Sequence, residues 1–284
     1  MITERDIDIL RALVRYYVLN RQQIQRLVFP NDNNGRLTRR RLQTLVAESL
    51  IGRQSVHFCH PTITPAPAYF PARKGCELLA EIDSDERYLV TPTQPPVPHH
   101  TFHWLAVSDT HMALDEAIAK QNAVKLDGWI NEWDAVNKEE QRPELRFRLY
   151  TLIRENLRLI CAPDSAFLLS TLGHSKIFYL EQDRATSGVY QIASGKTPGY
   201  AAMFEQKLQQ RHFPATVEGF SVLMITTTER RRSALRKAIK DKPGAELWRF
   251  ATVTDVTADQ FLHAPIWHSC HKDEPDPLVK GASE

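Results

Sequence analysis

Cysteine is scarce in this chain. There are four among 284 residues, Cys59, Cys76, Cys161 and Cys270, and no two form a CxxC pair. That scattering excludes a disulfide framework and a cysteine-rich zinc site, and it predicts reduced thiols. Long apolar runs are also missing. None approaches the roughly 18 residues of a membrane span. The start, Met1 to Asp6, has neither the charge pattern nor the apolar stretch of a signal peptide. A cytoplasmic protein with no membrane partner is therefore expected. No Gly-rich phosphate loop is present, and no serine or cysteine sits in a nucleophile motif. Neither the group His99, His100 and His103 nor the group His268, Cys270 and His271 has the spacing of zinc ligands. No internal repeat is visible.

Net charge of one sign is lacking as well, since the total is only +2. Its distribution is uneven. Residues 1–76 hold twelve arginine and lysine side chains against five acids, a net +7, so the remainder is net −5. A basic first quarter points to a polyanion partner for that quarter. The 42% hydrophobic and 25% charged content is that of a globular chain long enough for two domains.

Thr3 followed by Asp6, and Asn20 followed by Gln23, are capping-box starts. Ile7, Leu10, Val14 and Tyr17 mark one face of a first helix, and Ile24, Leu27 and Val28 mark a second. The turn at Pro30 to Gly35 opens a third helix, buried along Leu42, Leu45, Val46 and Leu50. Leu50 to Cys59, a turn at Pro61 to Pro67, and Tyr69 with Phe70 form a hairpin, and Lys74 to Glu81 a short helix. Three helices and then a hairpin is the order of a winged helix, with the third helix entering the major groove. Its outer face carries Arg36, Arg39, Arg40, Gln43 and Thr44, with Thr38 and Arg41 in the same basic run. Arginine and glutamine can each grip two atoms of one base edge, and further arginines neutralise phosphates. Arg53, His57, Arg73 and Lys74 add basic groups at the wing.

Four prolines between Pro92 and Pro98 predict an extended linker over 85–100, which separates a domain at 1–84 from one at 101–271. Residues 272–284 are expected to be a disordered tail. In the second domain, helices are predicted at His103 to Lys120, Thr197 to Arg211 and Thr228 to Lys240. Strands are predicted at Val124 to Trp133, Leu159 to Ser170, Lys176 to Glu181, Phe220 to Thr226 and Glu246 to Phe250. That alternation predicts an α/β layer fold. The basic run Arg230 to Arg232, with Arg236 and Lys237, reads as a solvated helix face.

Asp164 begins one predicted strand and Glu181 ends the next. Paired there, they suit a hard cation, Mg²⁺ or Mn²⁺, able to polarise a phosphodiester. Asp183 and Glu132 extend the candidate ligand set. The nuclease pattern of this shape is Pro-Asp, a gap, then an acid, any residue and lysine. Here Asp183 stands where the lysine belongs, so Lys196 or Lys207 is the candidate replacement. The alternative is a degenerate site whose acids only bind arginines or cap strands, with no metal and no cofactor.

With these pieces in order, the chain resembles the replication-relaxation family of plasmid and mobile-element proteins. The resemblance rests on Thr3 to Leu13, Arg39 to Val46 and Leu50 to Arg53. It continues through His103 to Asp109, Trp129 to Glu132, Ala162 to Asp164 and Leu180 to Thr186, then Lys196 with Tyr200, Phe220 to Thr226, and Arg230. It departs from the family pattern at Ala185, where glycine is usual, and in the Gly-Lys-Thr-Pro-Gly run around Lys196. The resemblance implies a winged helix fused to a domain like the PD-(D/E)xK nuclease fold, acting on plasmid DNA. The expected function is a sequence-reading DNA-binding protein in replication or relaxation, mobilisation or transcriptional control. One alternative is a metal-dependent nicking endonuclease. Another is a regulator whose second domain dimerises. Double-stranded DNA is the expected partner, and a second copy or other replication or mobilisation proteins are compatible ones.

Overall fold

The computed structural model describes residues 2–55, 67–171, 173–213 and 217–279. His57, Cys59 and most of the turn expected between Pro61 and Pro67 lie outside them. The fold mixes α and β, with eight α-helices among the described residues. The chain divides into two compact units, Met1–Met112 and Ala113–Glu284.

In the first unit, α1 (Glu4–Tyr16), β1 (Leu19–Asn20), α2 (Arg21–Val28) and α3 (Arg36–Ala47) are followed by β2 (Ile51–Gln54), β3 (Ala68–Pro71) and α4 (Arg73–Asp83). The helix starts are side-chain driven. The Thr3 amide donates to Asp6 at 2.7 Å, and Asn20 and Gln23 exchange bonds of 2.8 and 2.9 Å. Before α3 the chain turns at Gly35, whose φ of +65° suits glycine. Asp32 then accepts from the Thr38 amide at 2.8 Å, which satisfies an N-terminal donor of α3. The three strands form an antiparallel sheet in the order β1-β3-β2. Ile9, Leu13, Leu19, Ile24, Leu42, Leu45 and Leu79 are fully buried in one cluster. α1, α2 and α3 thereby pack as the apolar periodicity predicts.

The proline-rich segment is not extended throughout. Glu86–Val90 is a 3-10 turn, the Tyr88 hydroxyl donates to Asp83 at 2.9 Å, and the Tyr17 hydroxyl donates to the Gln94 carbonyl at 2.8 Å. These bonds tie it to the first unit. The two compact units meet in sequence within α5 (Thr101–Ala119).

The second unit is built on β4 (Lys125–Asn131), α6 (Pro143–Arg146), β5 (Thr151–Arg154), β6 (Leu159–Cys161), β7 (Ser165–Thr171) and β8 (His174–Gln182). α7 (Val189–Glu205), β9 (Phe220–Thr226), α8 (Glu229–Ile239), β10 (Trp248–Thr252) and β11 (His268–Ser269) complete it. Six strands form one sheet in the order β11-β10-β9-β8-β7-β4. β4, β7 and β8 run antiparallel in turn, while β8, β9 and β10 are parallel. α7 and α8 are the crossovers between the parallel strands. β9 is buried at every residue, as a central parallel strand covered on both faces must be. Tyr179, Tyr200, Met203, Val222, Leu235, Trp248 and Phe250 belong to one buried cluster between sheet and helices. His212 is buried beside it, 2.6 Å from the Tyr179 hydroxyl through Nδ1 and 2.9 Å from Thr151 Oγ1 through Nε2. Burial, helped by Arg148 and Arg211, pushes this histidine down to about 4.

Three sequence expectations change here. The single strand expected from Leu159 to Ser170 is two, β6 pairing with β5 and β7 with the main sheet. Pro163, which has no N–H for a ladder bond, sits at the break. The helix expected to start at Thr197 begins at Val189 and carries Pro198 inside it. Burial of Thr197, Gly199, Tyr200 and Met203 overrides the helix-breaking Gly-Lys-Thr-Pro-Gly run. A Cβ on Gly199 would lie 2.3 Å from the Ile160 carbonyl oxygen, so glycine is what lets α7 approach β6. The expected tail is tied down at its start, where Trp267 and Asp276 exchange backbone bonds of 3.0 and 3.1 Å. Residues 280–284 lie outside the described chain.

Candidate active site

The sheet register brings three acids into one rung. Ser165 pairs with Leu180 on one side and Asn131 on the other. One residue further, Asp164 therefore stands between Glu181 and Glu132. The backbone keeps this alignment past the formal strand ends. The Asp164 amide donates to Leu180 O at 3.1 Å, and the Glu132 amide donates to Asp164 O at 3.2 Å. Residues directly opposite one another share a sheet face on strands about 4.8 Å apart. Carboxylate oxygens of Glu132 and Asp164 lie within 4.8 Å of each other. Asp164 Oδ2 also accepts from the Gln182 amide at 2.6 Å, which fixes its orientation.

The missing lysine comes from α7. Lys196 Nζ donates to Glu181 Oε2 at 2.6 Å, reaches Ala162 O at 3.3 Å and lies 4.0 Å from Asp164 Oδ1. Tyr200, one helical turn on and so on the same face, donates its hydroxyl to Glu181 Oε1 at 2.6 Å. Both oxygens of a buried glutamate are thus satisfied. Burial pushes the Glu181 carboxyl up to about 7, although the Lys196 ammonium pulls it down. Burial also works against charge on Lys196, but the Glu181 and Asp164 carboxylates outweigh it and hold the ammonium above its ordinary value. The Tyr200 phenol is pushed well up, by burial first and by Glu181 next.

Asp183 and Lys207 fall elsewhere. Asp183 shares its sheet face with Glu181 but meets α8. Arg231 grips it through Nε and Nη2, the Thr226 hydroxyl donates to it at 2.6 Å and the Ala185 amide at 3.1 Å. With an arginine closed on it, Asp183 stands apart from the rung as a buried ion-pair partner. Lys207 is exposed beyond the end of α7, roughly 16 Å along the helix axis from Lys196. Sequence reasoning missed Tyr200 and Arg231 as partners of these acids. The spacing of four between Lys196 and Tyr200 was the available signal for the first. The arginine run of α8 is only partly solvated. Besides Arg231, Arg232 pairs with Asp255 at 3.3 Å, and Arg236 donates to the Ser269 and Lys272 carbonyls at 2.9 Å each.

On α3, Arg36, Arg39, Arg40 and Gln43 are exposed and line an open hollow with Asp32 and Leu37. Two neighbours in the run are committed inward. Thr38 is fully buried and its hydroxyl donates to Asp32 at 2.7 Å. Arg41 donates through Nε to the fully buried Asp6 at 2.8 Å, so it braces α3 on α1. Thr44, half-buried, donates its hydroxyl to the Arg40 carbonyl at 3.1 Å. Arg53 is exposed on β2, Arg73 pairs with Glu77 at 2.9 Å, and Lys74 donates to Glu48 O at 3.0 Å.

A profile of the replication-relaxation family matches residues 10–216. This chain belongs to that family. The matched span includes α3, the acidic rung, Lys196 and Tyr200. No curated protein and no solved structure matches the chain. Among the described residues, no helix is long and apolar enough to cross a membrane.

Proposed function

We propose that this replication-relaxation protein docks on duplex DNA through α3 and cuts one strand at the Asp164, Glu181 and Lys196 cluster with Mg²⁺ or Mn²⁺. A single cut frees the strands to rotate, which relaxes supercoiled plasmid or mobile-element DNA. The observation that carries the reading is the delivery of Lys196, from a helix, to the rung of Asp164 and Glu181. It supplies the charge that the Asp183 substitution removes from the strand. The order of elements supports the same reading. The helices and β1-β3-β2 sheet of the first unit follow winged-helix order, with α3 as the groove-reading helix. Three antiparallel strands, a helix and a parallel strand follow the order of the PD-(D/E)xK fold.

The donor set fits the proposed cation. Glu132 and Asp164 bring carboxylate oxygens within 4.8 Å of each other, the hard donors that Mg²⁺ and Mn²⁺ prefer, while the oxygens of the neighbouring Glu181 are held by Lys196 and Tyr200. Bound there, the cation would polarise the scissile phosphodiester and acidify a water. Lys196 would place a positive charge where negative charge develops on the phosphate oxygens, held there by the buried Glu181. The Gln182 amide orients Asp164, and Tyr200 orients Glu181. Tyr200 is buried with its hydroxyl committed to Glu181, which does not place it to attack a phosphate; a water acidified by the cation would be the nucleophile.

The saturation of Glu181 by Lys196 and Tyr200 favours a second reading, a DNA-binding protein in which the cluster is an internal strut. Calorimetric titration of Mn²⁺ separates the two. The cutting site gives saturable heat that is lost in Asp164→Ala, whereas a strut gives none in either protein.

A further inference from the structure

Beside the cluster, between β6 and the first half of α7, lies a cavity of about 350 Å³. Ile160 and Ile192 form its apolar walls, Ser187 and Gln191 stand among its lining, and Lys196 and Tyr200 belong both to it and to the acidic cluster. A volume in this range suits a small flat ligand. The apolar walls disfavour a hydrated ion or a bare phosphate, which would lose its hydration without replacement. A nucleobase has apolar faces for a lining that includes Ile160 and Ile192 and a polar edge for the Gln191 amide and Ser187 hydroxyl. Lys196 lines the cavity and lies 4.0 Å from Asp164, so it stands between a base seated there and the acidic rung.

The geometry points to a pocket for one unstacked base of the strand being cut. The inference rests on the cutting function proposed for the cluster and names the form of its substrate. A base within a stacked duplex cannot enter, and extracting one costs a few kcal/mol unless the strand is already open. The protein therefore favours DNA that is single-stranded or melted at the cut, while α3 holds the neighbouring duplex.

Gly195 lies at the cavity, and a Cβ there meets nothing within 4 Å. Gly195→Phe adds a bulky ring to the lining at the cavity's exposed edge without a backbone clash, and it removes a glycine from a helix, where glycine is unfavourable. The test uses the full chain with Ca²⁺ and a single-stranded oligoadenylate carrying one 2-aminopurine, which its adenine neighbours stack and quench. Wild type should raise the 2-aminopurine fluorescence as the base leaves its stack. Gly195→Phe should abolish the rise and weaken single-strand binding about five- to tenfold, with duplex binding and Mn²⁺ heat unchanged. No rise in wild type, or a rise that Gly195→Phe retains, overturns the pocket. If neither protein nicks plasmid but the rise still depends on the cavity, the cutting function falls and the base pocket stands.

Discussion

Replacing Asp183 by alanine separates Glu181 on β8 from Asp183, which follows the strand on the same sheet face. Its carboxylate is 4% exposed and Arg231 is 16% exposed. The Thr226 hydroxyl and the Ala185 amide depend on the same oxygens. Alanine takes the carboxylate from a largely covered Arg231, which keeps only the Ser187 carbonyl, a loss of at most about 3–5 kcal/mol. A unit of this size loses about 2–4 °C in melting temperature per kcal/mol, so the transition reporting the second unit should fall by roughly 6–20 °C. Asp183→Asn keeps the shape and part of the bonding and should fall less. The double variant Asp183→Leu with Arg231→Met should recover much of the loss, because an apolar pair leaves no buried charge. Thermal unfolding followed by circular dichroism measures all four proteins. Mn²⁺ titration of Asp183→Ala below its transition should give wild-type heat. If Asp183→Ala melts with wild type yet loses the Mn²⁺ heat, Asp183 is a metal ligand and the Arg231 assignment is wrong.

Three further outcomes follow from the same geometry. Arg39→Ala with Arg40→Ala should weaken duplex binding and flatten its log–log salt dependence by about 0.9 per lost phosphate contact, and an unchanged slope in a mobility-shift series would remove α3 as the docking helix. Lys196→Met should keep Mn²⁺ binding while nicking falls about 10²- to 10³-fold, the usual worth of one electrostatic partner in the transition state, and wild-type nicking rates would refute it. The third outcome concerns His212, pushed from 6.5 in the unfolded chain to about 4 when folded. It contributes stability that is fully present above about pH 6.5 and lost as pH falls toward 4, up to about 3 kcal/mol. Urea midpoints across that window should fall less steeply for His212→Gln, and parallel curves would exclude the assignment.

The first unit was legible because its signals are local. Capping pairs, a glycine turn and apolar spacing fix α1, α2 and α3 within a few residues of one another. The acids at 164 and 181 were legible for a similar reason, since Lys176 to Glu181 reads as a strand and places its last residue near the start of its neighbour. Lys196 was harder. It stands fifteen residues from Glu181 in a run whose glycines and proline argue against a helix. Only the packing of Tyr200 and Gly199 against the sheet and β6 makes that run helical. Glu181 and Asp183 lie two residues apart on one face and look interchangeable in sequence. They differ because α7 covers one and α8 the other, an outcome of crossover geometry that no local pattern encodes. Thr38 and Arg41 likewise belong to the basic run expected to meet DNA, yet Asp32 and Asp6 draw them inward.

The most direct test is supercoiled plasmid incubated with the full chain and Mg²⁺ or Mn²⁺, then resolved on a gel against Asp164→Ala. Cutting at the cluster predicts conversion to open circles by wild type, none by Asp164→Ala, and none for either protein in EDTA. Plasmid that stays supercoiled with both cations, or that Asp164→Ala opens as fast as wild type, would contradict it.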